Sequence, residues 1–404
     1  TSPTADLLVA RVNLAGLLLD AQQFDAARRQ IDAFDVDFPN HVLGRFLRGR
    51  LALGLRDFPA AENELQRYLA RIPDDTRGQA ILGVAHFYQN HLLQAEMYLQ
   101  QAVRAQVGGE AARRLLAETQ LRLDKPNLAL EILRRAEQEG ASDPHLMTML
   151  GRAQAGVGNL DEAYAYYERG LLADVDGSGA ALSIAAGLLS IGRESRAIEV
   201  LEGLPSAPGE GFRREVLLIA AHLRSGDKDA ALLVSDSLAK QNPQDASALS
   251  IAGALRLFLD QDESARQMLS QALDLEPRNV AALFAMSRYA IKVDRTDEAR
   301  TFLERLLDVE PAHVPGLASL GSVARSEVHR SEFEGRLTKA IEHAPAQIGP
   351  RVIAIRHAIS REDYSGALNL IEDAEPVFPD SSLLHHSKGI VSFRLGQTEL
   401  GLAE

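Results

Sequence analysis

The sequence predicts an all-α chain built as a solenoid of helix-turn-helix units. Three observations carry this: a 34-residue period that runs without insertion or deletion, a small residue recurring at one phase against alanine at another, and proline recurring at a third. Units begin at Leu8, Val42, Thr76, Glu110, Pro144, Ser178, Phe212, Ala246, Val280, Val314, Ile348 and Ser382. Residues 1–7 form a lead-in. Eleven full units follow, 8–41, 42–75, 76–109, 110–143, 144–177, 178–211, 212–245, 246–279, 280–313, 314–347 and 348–381, and 382–404 is a partial twelfth expected to continue in the natural protein.

Unit position 20 is Ala27, Ala61, Ala95, Ala129, Ala163, Ala197, Ala231, Ala265, Ala299 and Ala367, broken only by Phe333 and Gly401. Position 8 is Gly, Ala or Ser except at Ile219 and Ile355, and position 24 is usually large and apolar, as at Leu65, Leu99 and Tyr167. Apolar spacing predicts one amphipathic helix over positions 1–14 and a second over 15–29. A small residue at 8 opposite Ala at 20 lets two helix axes approach, and the large residue at 24 fills the adjacent gap. Proline at position 32, from Pro39 to Pro379, ends the second helix. It is missing in the four units between Thr76 and Gly211, where Gly203–Gly211 reads as a local bend with the period carried through.

Composition narrows the function classes. Forty-three Lys and Arg against 56 Asp and Glu leave a net charge of −13, which argues against general nucleic-acid binding and against adsorption to anionic lipid. With no Cys there is no disulfide, thiolate nucleophile or Cys-ligated metal. No apolar run is long enough to span a bilayer, and Thr1–Asp6 carry no signal-peptide pattern. Phosphate-loop, dinucleotide, zinc-protease and nucleophile-elbow signatures are all missing, so the reading is a non-enzyme without a cofactor or metal. Asp174–Gly179 mimics the opening of a calcium loop, but Leu182 and Ala185 stand where ligands are needed, and the segment reads as a turn. His86 and His222, both at position 11, read as packing or hydrogen-bonded residues, while adjacent His385 and His386 point about 100° apart on a helix.

The period, the small residues at 8, the alanines at 20 and the prolines at 32 resemble the tetratricopeptide repeat. That resemblance implies a right-handed α-α superhelix whose first helices line a concave groove through positions 2, 5, 6, 9, 12 and 13. Those positions carry Arg50, Arg77, Arg114, Arg122, Arg152, Arg213, Arg224, Arg288, Lys292, Arg325, Arg356 and Arg394, opposed only by Asp20 and Glu118. The groove is therefore expected to be basic on an acidic molecule. The large residues at position 12, such as Leu19 and Leu53, are assigned to packing between units. Guanidinium forks suit an acidic extended peptide, a C-terminal carboxylate or an anionic polysaccharide. The bland alternative is that these cations pair with neighbouring acids.

Segments such as LLVARVNLAGLLLDAQQFDAARRQIDAFDVDFPNH and ARRLLAETQLRLDKPNLALEILRRA resemble the tetratricopeptide lipoproteins of the PEP-CTERM and exosortase system. That resemblance implies a scaffold of the bacterial cell envelope serving exopolysaccharide export or protein sorting, periplasmic or lipid-anchored through a segment outside this chain. A cytoplasmic location is the alternative. The rival function is an accessory region of a larger envelope glycosyl or peptidyl transferase. Self-association through the open C-terminal end is also expected.

Overall fold

The computed structural model describes residues 3–174, 179–204, 212–324, 326–345, 347–378 and 381–396. Among them are 23 helices and no strand. In the first compact unit, Thr1–Leu201, the pairs are α1 Pro3–Asp20 and α2 Phe24–Asp37, α3 Val42–Gly54 and α4 Phe58–Leu69, α5 Thr76–Tyr88 and α6 Leu92–Arg104. They continue with α7 Gly109–Arg122 and α8 Pro126–Gln138, α9 Pro144–Gly156 and α10 Leu160–Ala173, then α11 Ala180–Ser190 and α12 Glu194–Glu202, which ends at the unit boundary. The second unit, Glu202–Glu404, holds α13 Arg213–Arg224 and α14 Lys228–Gln241, α15 Ala246–Phe258 and α16 Asp262–Leu275, α17 Val280–Lys292 and α18 Thr296–Val309. It ends with α19 Val314–Val323 and α20 Glu327–His343, α21 Ile348–Ser360 and α22 Tyr364–Ala374, and α23 Ser382–Arg394. Most of the segment Gly203–Gly211, of the calcium-like turn, and of the twelfth unit beyond Gly396 lies outside the described residues, as does Arg325.

Each helix pair closes on its small residues. All ten alanines at position 20 are wholly buried, including Ala61 and Ala265. The glycines at position 8 sit directly on position 24: a Cβ on Gly49 would lie 2.6 Å from Leu65 Cγ, and one on Gly253 2.7 Å from Leu269 Cγ. Where position 24 is Tyr167, two glycines make room for it. A Cβ on Gly151 or on Gly187 would lie 2.4 Å from its ring. The unit with Ile219 at position 8 reverses the sizes, carrying Ser235 at 24, and both are buried. Pairs then stack on pairs, since α4 packs on α5 and α6 on α7, while α1, α3, α5, α7 and α9 each touch the next of that series.

The helix boundaries correct the sequence reading. First helices end at position 13 and second helices start at 17, because a turn intervenes with position 15 in the left-handed region. Gln22, Arg56, Asn90, Asp124, Asp260, Asp294 and Glu362 all have φ between 56° and 61° there, and Gly158, Gly192, Gly226 and Gly396 take the same place. The amide of position 16 then donates to the carbonyl of position 11, as from Asp57 to Ala52 at 2.9 Å, while that of Arg56 donates to Leu53 at 3.0 Å. These bonds satisfy carbonyls that the helix end leaves open and offset a left-handed cost of about 1–2 kcal/mol. Val328 at position 15 of the tenth unit is β-branched and disfavours that conformation. There α19 stops at Val323, and α20 starts at Glu327, three residues early, with Ser326 accepting from the His329 amide at 3.2 Å. In this unit Phe333 replaces the alanine at 20, with its ring 2.8 Å from where a Gly321 Cβ would stand.

Capping fixes where each pair begins. Asp75, Asp143, Asp245 and Asn279, each just before a first helix, accept from amides of its first turn, and Asp57, Asp227 and Asp363 do the same for second helices. Asp143 also accepts from Arg114 Nη1 at 2.9 Å. Burial works against its carboxylate, yet the bonds from Arg114 and from the Leu146 amide outweigh it and hold its pKa below the ordinary value.

Two outcomes follow from this packing. Replacing Ala265 by Leu is expected to lower unfolding stability by about 1–3 kcal/mol in a denaturant titration, because the added methyls have no space. A group whose pKa is depressed on folding contributes stability above its unfolded pKa and loses it as pH falls through the folded value. Wild type is therefore expected to be more stable than Asp143→Asn near neutrality, with the gap closing as pH falls below about 4; thermal melts across pH measure it.

Candidate functional site: a cleft across the first helices

The first unit holds a cleft of about 820 Å³ spanning three successive first helices. Leu19 and Asp20 of α1, Arg50, Leu53 and Gly54 of α3, and Ile81, Val84 and Tyr88 of α5 line it. All eight fall at groove positions 6, 9, 12 or 13, which is where stacked first helices present side chains to one side. The second helices contribute their leading residues, Phe24 and Phe58. Phe24 can lie along α3 because Gly54 has no side chain; a Cβ there would meet the ring at 2.4 Å. The Phe58 and Tyr88 rings stack with centroids 4.8 Å apart and planes 11° apart, and Tyr88 is 58% exposed. Arg50 Nη2 donates to Asp20 Oδ1 at 2.6 Å, with its guanidinium 5.8 Å from the Phe46 ring centroid. The cleft is thus an aromatic and aliphatic trough with one ion pair at its wall. Leu53, assigned from sequence to packing, is only half-buried and lines it.

The other cations predicted for the groove divide into two groups. Arg114 bridges Glu110 and Asp143; Arg122 pairs with Glu118 at 3.2 Å and lies 4.5 Å over the Phe87 ring; Arg152 reaches the same Glu118 at 2.6 Å. Arg77 stands 3.6 Å from Asp75 but is mostly exposed. Lys292 contacts Asp260 and Asp262, each at 2.6 Å, which raises its pKa and lowers that of Asp260. Arg224 is exposed and also has an interaction within the chain. Arg213, Arg288, Arg356 and Arg394 are exposed and form no ion pair with a described residue. Of these, Arg394 borders a second cleft of about 750 Å³ on α23, with His385, His386 and Phe393.

Counting groove positions alone overstated the free positive charge. Besides Asp20 and Glu118, the neutralising acids sit at the turns before or after a helix, as Asp75, Asp143, Asp260 and Asp262 do, and those are not groove positions. The aromatic walls lie outside the groove positions of the first helices, because Phe24 and Phe58 begin second helices. A large aromatic at position 17 in consecutive units was the available signal.

Tetratricopeptide-repeat family models match residues 12–76 and 82–144, and a further one matches 263–321. No curated protein sequence matches the chain. Among solved structures, it is similar to the APC/C hetero-tetramer Cut9-Hcn1 (13% identity, TM-score 0.36, 90% of this chain and 86% of that one). It is also similar to Naa15/Naa10 bound to HypK-THB (14%, 0.34, 98% and 67%) and to Pseudomonas aeruginosa pilF (13%, 0.38, 48% and 88%). The family matches identify the helix pairs within residues 12–76, 82–144 and 263–321 as tetratricopeptide repeats.

Proposed function

We propose that the chain is a non-catalytic interaction scaffold that holds an extended segment of a protein partner against its first helices. The observation that carries this reading is the cleft across α1, α3 and α5, where the exposed Tyr88 ring and the half-buried Phe24 and Phe58 share a wall with Arg50, in repeats of a type suited to such contacts. Exposed aromatics and arginine are the side chains that dominate binding energy at protein interfaces. An extended partner would set an apolar or aromatic side chain between Phe24, Phe58 and Tyr88. Acidic residues of the partner would suit Arg50 at the cleft wall; in the second unit, taken by itself, Arg288 and Arg356 are exposed at position 9 of α17 and α21.

The setting we propose is the bacterial cell envelope, beside exopolysaccharide assembly or protein sorting. Its support is the resemblance of the repeat segments to the PEP-CTERM-associated lipoproteins, and the complete reading frame with its leader tests it. No described helix is long and apolar enough to cross a membrane.

Selection of random peptides displayed on phage against the full chain is expected to enrich sequences with an aromatic or aliphatic anchor near acidic residues. Synthetic peptides from that pool should bind Tyr88→Ala about tenfold more weakly, a loss of about 1.4 kcal/mol. Undiminished binding to Tyr88→Ala, measured by fluorescence anisotropy, would remove the cleft from the account.

A further inference from the structure

In every described pair but α19–α20, the turn places positions 11 and 16 together, since the amide of 16 donates to the carbonyl of 11. Position 16 also meets position 21 of the preceding unit. Lys125 Nζ reaches Glu96 Oε2 at 2.7 Å in this way, and the Arg193 guanidinium lies 5.5 Å from the Tyr164 ring centroid. The fold thus repeats a triangle of three side chains whose identities are free to vary. In the unit beginning at Thr76, all three are metal-ligating types. His86 is at 11, His91 at 16, and Glu62 at 21 of the unit before.

The triangle is compact. His86 Nδ1 and His91 Nδ1 are 3.4 Å apart, and each is 3.8 Å from Glu62 Oε2. Bonds of about 2.1 Å to a tetrahedral zinc-type ion require ligand atoms about 3.4 Å apart. The two imidazoles already have that spacing, and the carboxylate needs a shift of only about 0.4 Å. The surroundings hold the ligands in place: the His86 ring stacks on Tyr98 at 5.6 Å with planes 9° apart, and Gln89 Nε2 donates to Glu62 Oε2 at 2.6 Å. Such outer contacts orient ligands in metal sites. His86 is buried, whereas the His91 and Glu62 side chains are 30% and 22% exposed, which gives an ion a path in and leaves a fourth position for water.

We propose that Glu62, His86 and His91 form a three-ligand site for a zinc-type divalent transition-metal ion, clasping α4 to the turn between α5 and α6. Two imidazoles with one carboxylate suit zinc and cobalt rather than magnesium or calcium, which take oxygen ligands. The site does not depend on the interaction role above, since none of its residues lines the cleft.

The test is titration of chelator-treated full-length protein with Co(II), followed by visible d–d absorption and then by Zn(II) displacement. One equivalent with the intense bands of tetrahedral cobalt is expected. Glu62→Gln and His91→Ala should each weaken binding at least about tenfold, since outer contacts alone are worth 10–100-fold. Both replace partly exposed residues, and circular dichroism checks their folding. Glu62→Gln keeps the size and one of the two acceptor oxygens that Gln66 and Gln89 donate to, so it decides the matter if His91→Ala unfolds. Binding equal in wild type and Glu62→Gln, or no saturable cobalt spectrum, would overturn the site.

Discussion

The close approach of two helices within each unit rests on missing side-chain volume. At position 20 the alanines are wholly buried, and at position 8 glycine backbone lies against the residue at 24 at distances no additional carbon could share. Because the interior is packed to crystal-like density, each methyl has to be matched by space elsewhere. Three departures obey the same rule, while the unit with Ile355 at position 8 also carries the large, wholly buried Ile371 at 24. Tyr167 is accommodated by Gly151 and Gly187, Phe333 by Gly321, and Ile219 is matched by the small Ser235. In these units what recurs is the summed volume at the contact, more than the identity of any one residue.

The turn supplies the second constraint. A left-handed residue at position 15 reverses the chain in so few residues that the second helix lies against the first, and aspartates at the caps fix its start. This geometry sets which side chains meet: 11 with 16, 16 with 21 of the unit before, and 9, 12 and 13 with their counterparts on the next first helix. Cleft and imidazole cluster are therefore two uses of one lattice of positions. One stands on first helices and takes aromatic residues, and the other stands at a turn and takes His86, His91 and Glu62.

The repeat was legible because buried positions recur at one phase, so Ala61, Leu65 and their equivalents announce themselves without coordinates. Helix ends were less so. Positions 15 and 16 are polar or glycine everywhere but Val328, yet polar residues also cover the solvent face of a continuing helix, and residues such as Arg56 and Asp124 adopt left-handed geometry without being glycine. Val328 marks the one described unit that omits this turn, and its β-branched side chain was the available clue. The charge pattern was visible, but its neutralisation was not, because Asp143 lies 29 residues from Arg114 and meets it only when units stack. His86 and His91 show no helical spacing in the sequence, since they are joined through a turn, five residues apart.

The most direct measurement of the packing account is the sign of two glycine-to-alanine changes. In a helix interior alanine is favoured over glycine by about 1 kcal/mol when nothing obstructs its methyl. Gly335 in α20 is exposed, and a Cβ there would have no atom within 4 Å, whereas a Cβ on Gly151 would stand 2.4 Å from the Tyr167 ring. Denaturant unfolding should show Gly335→Ala stabilising the protein by about 0.5–1 kcal/mol and Gly151→Ala destabilising it by about 1–3 kcal/mol. Stabilisation by both substitutions would contradict the account, for it would mean that the helices do not depend on absent volume for their contact.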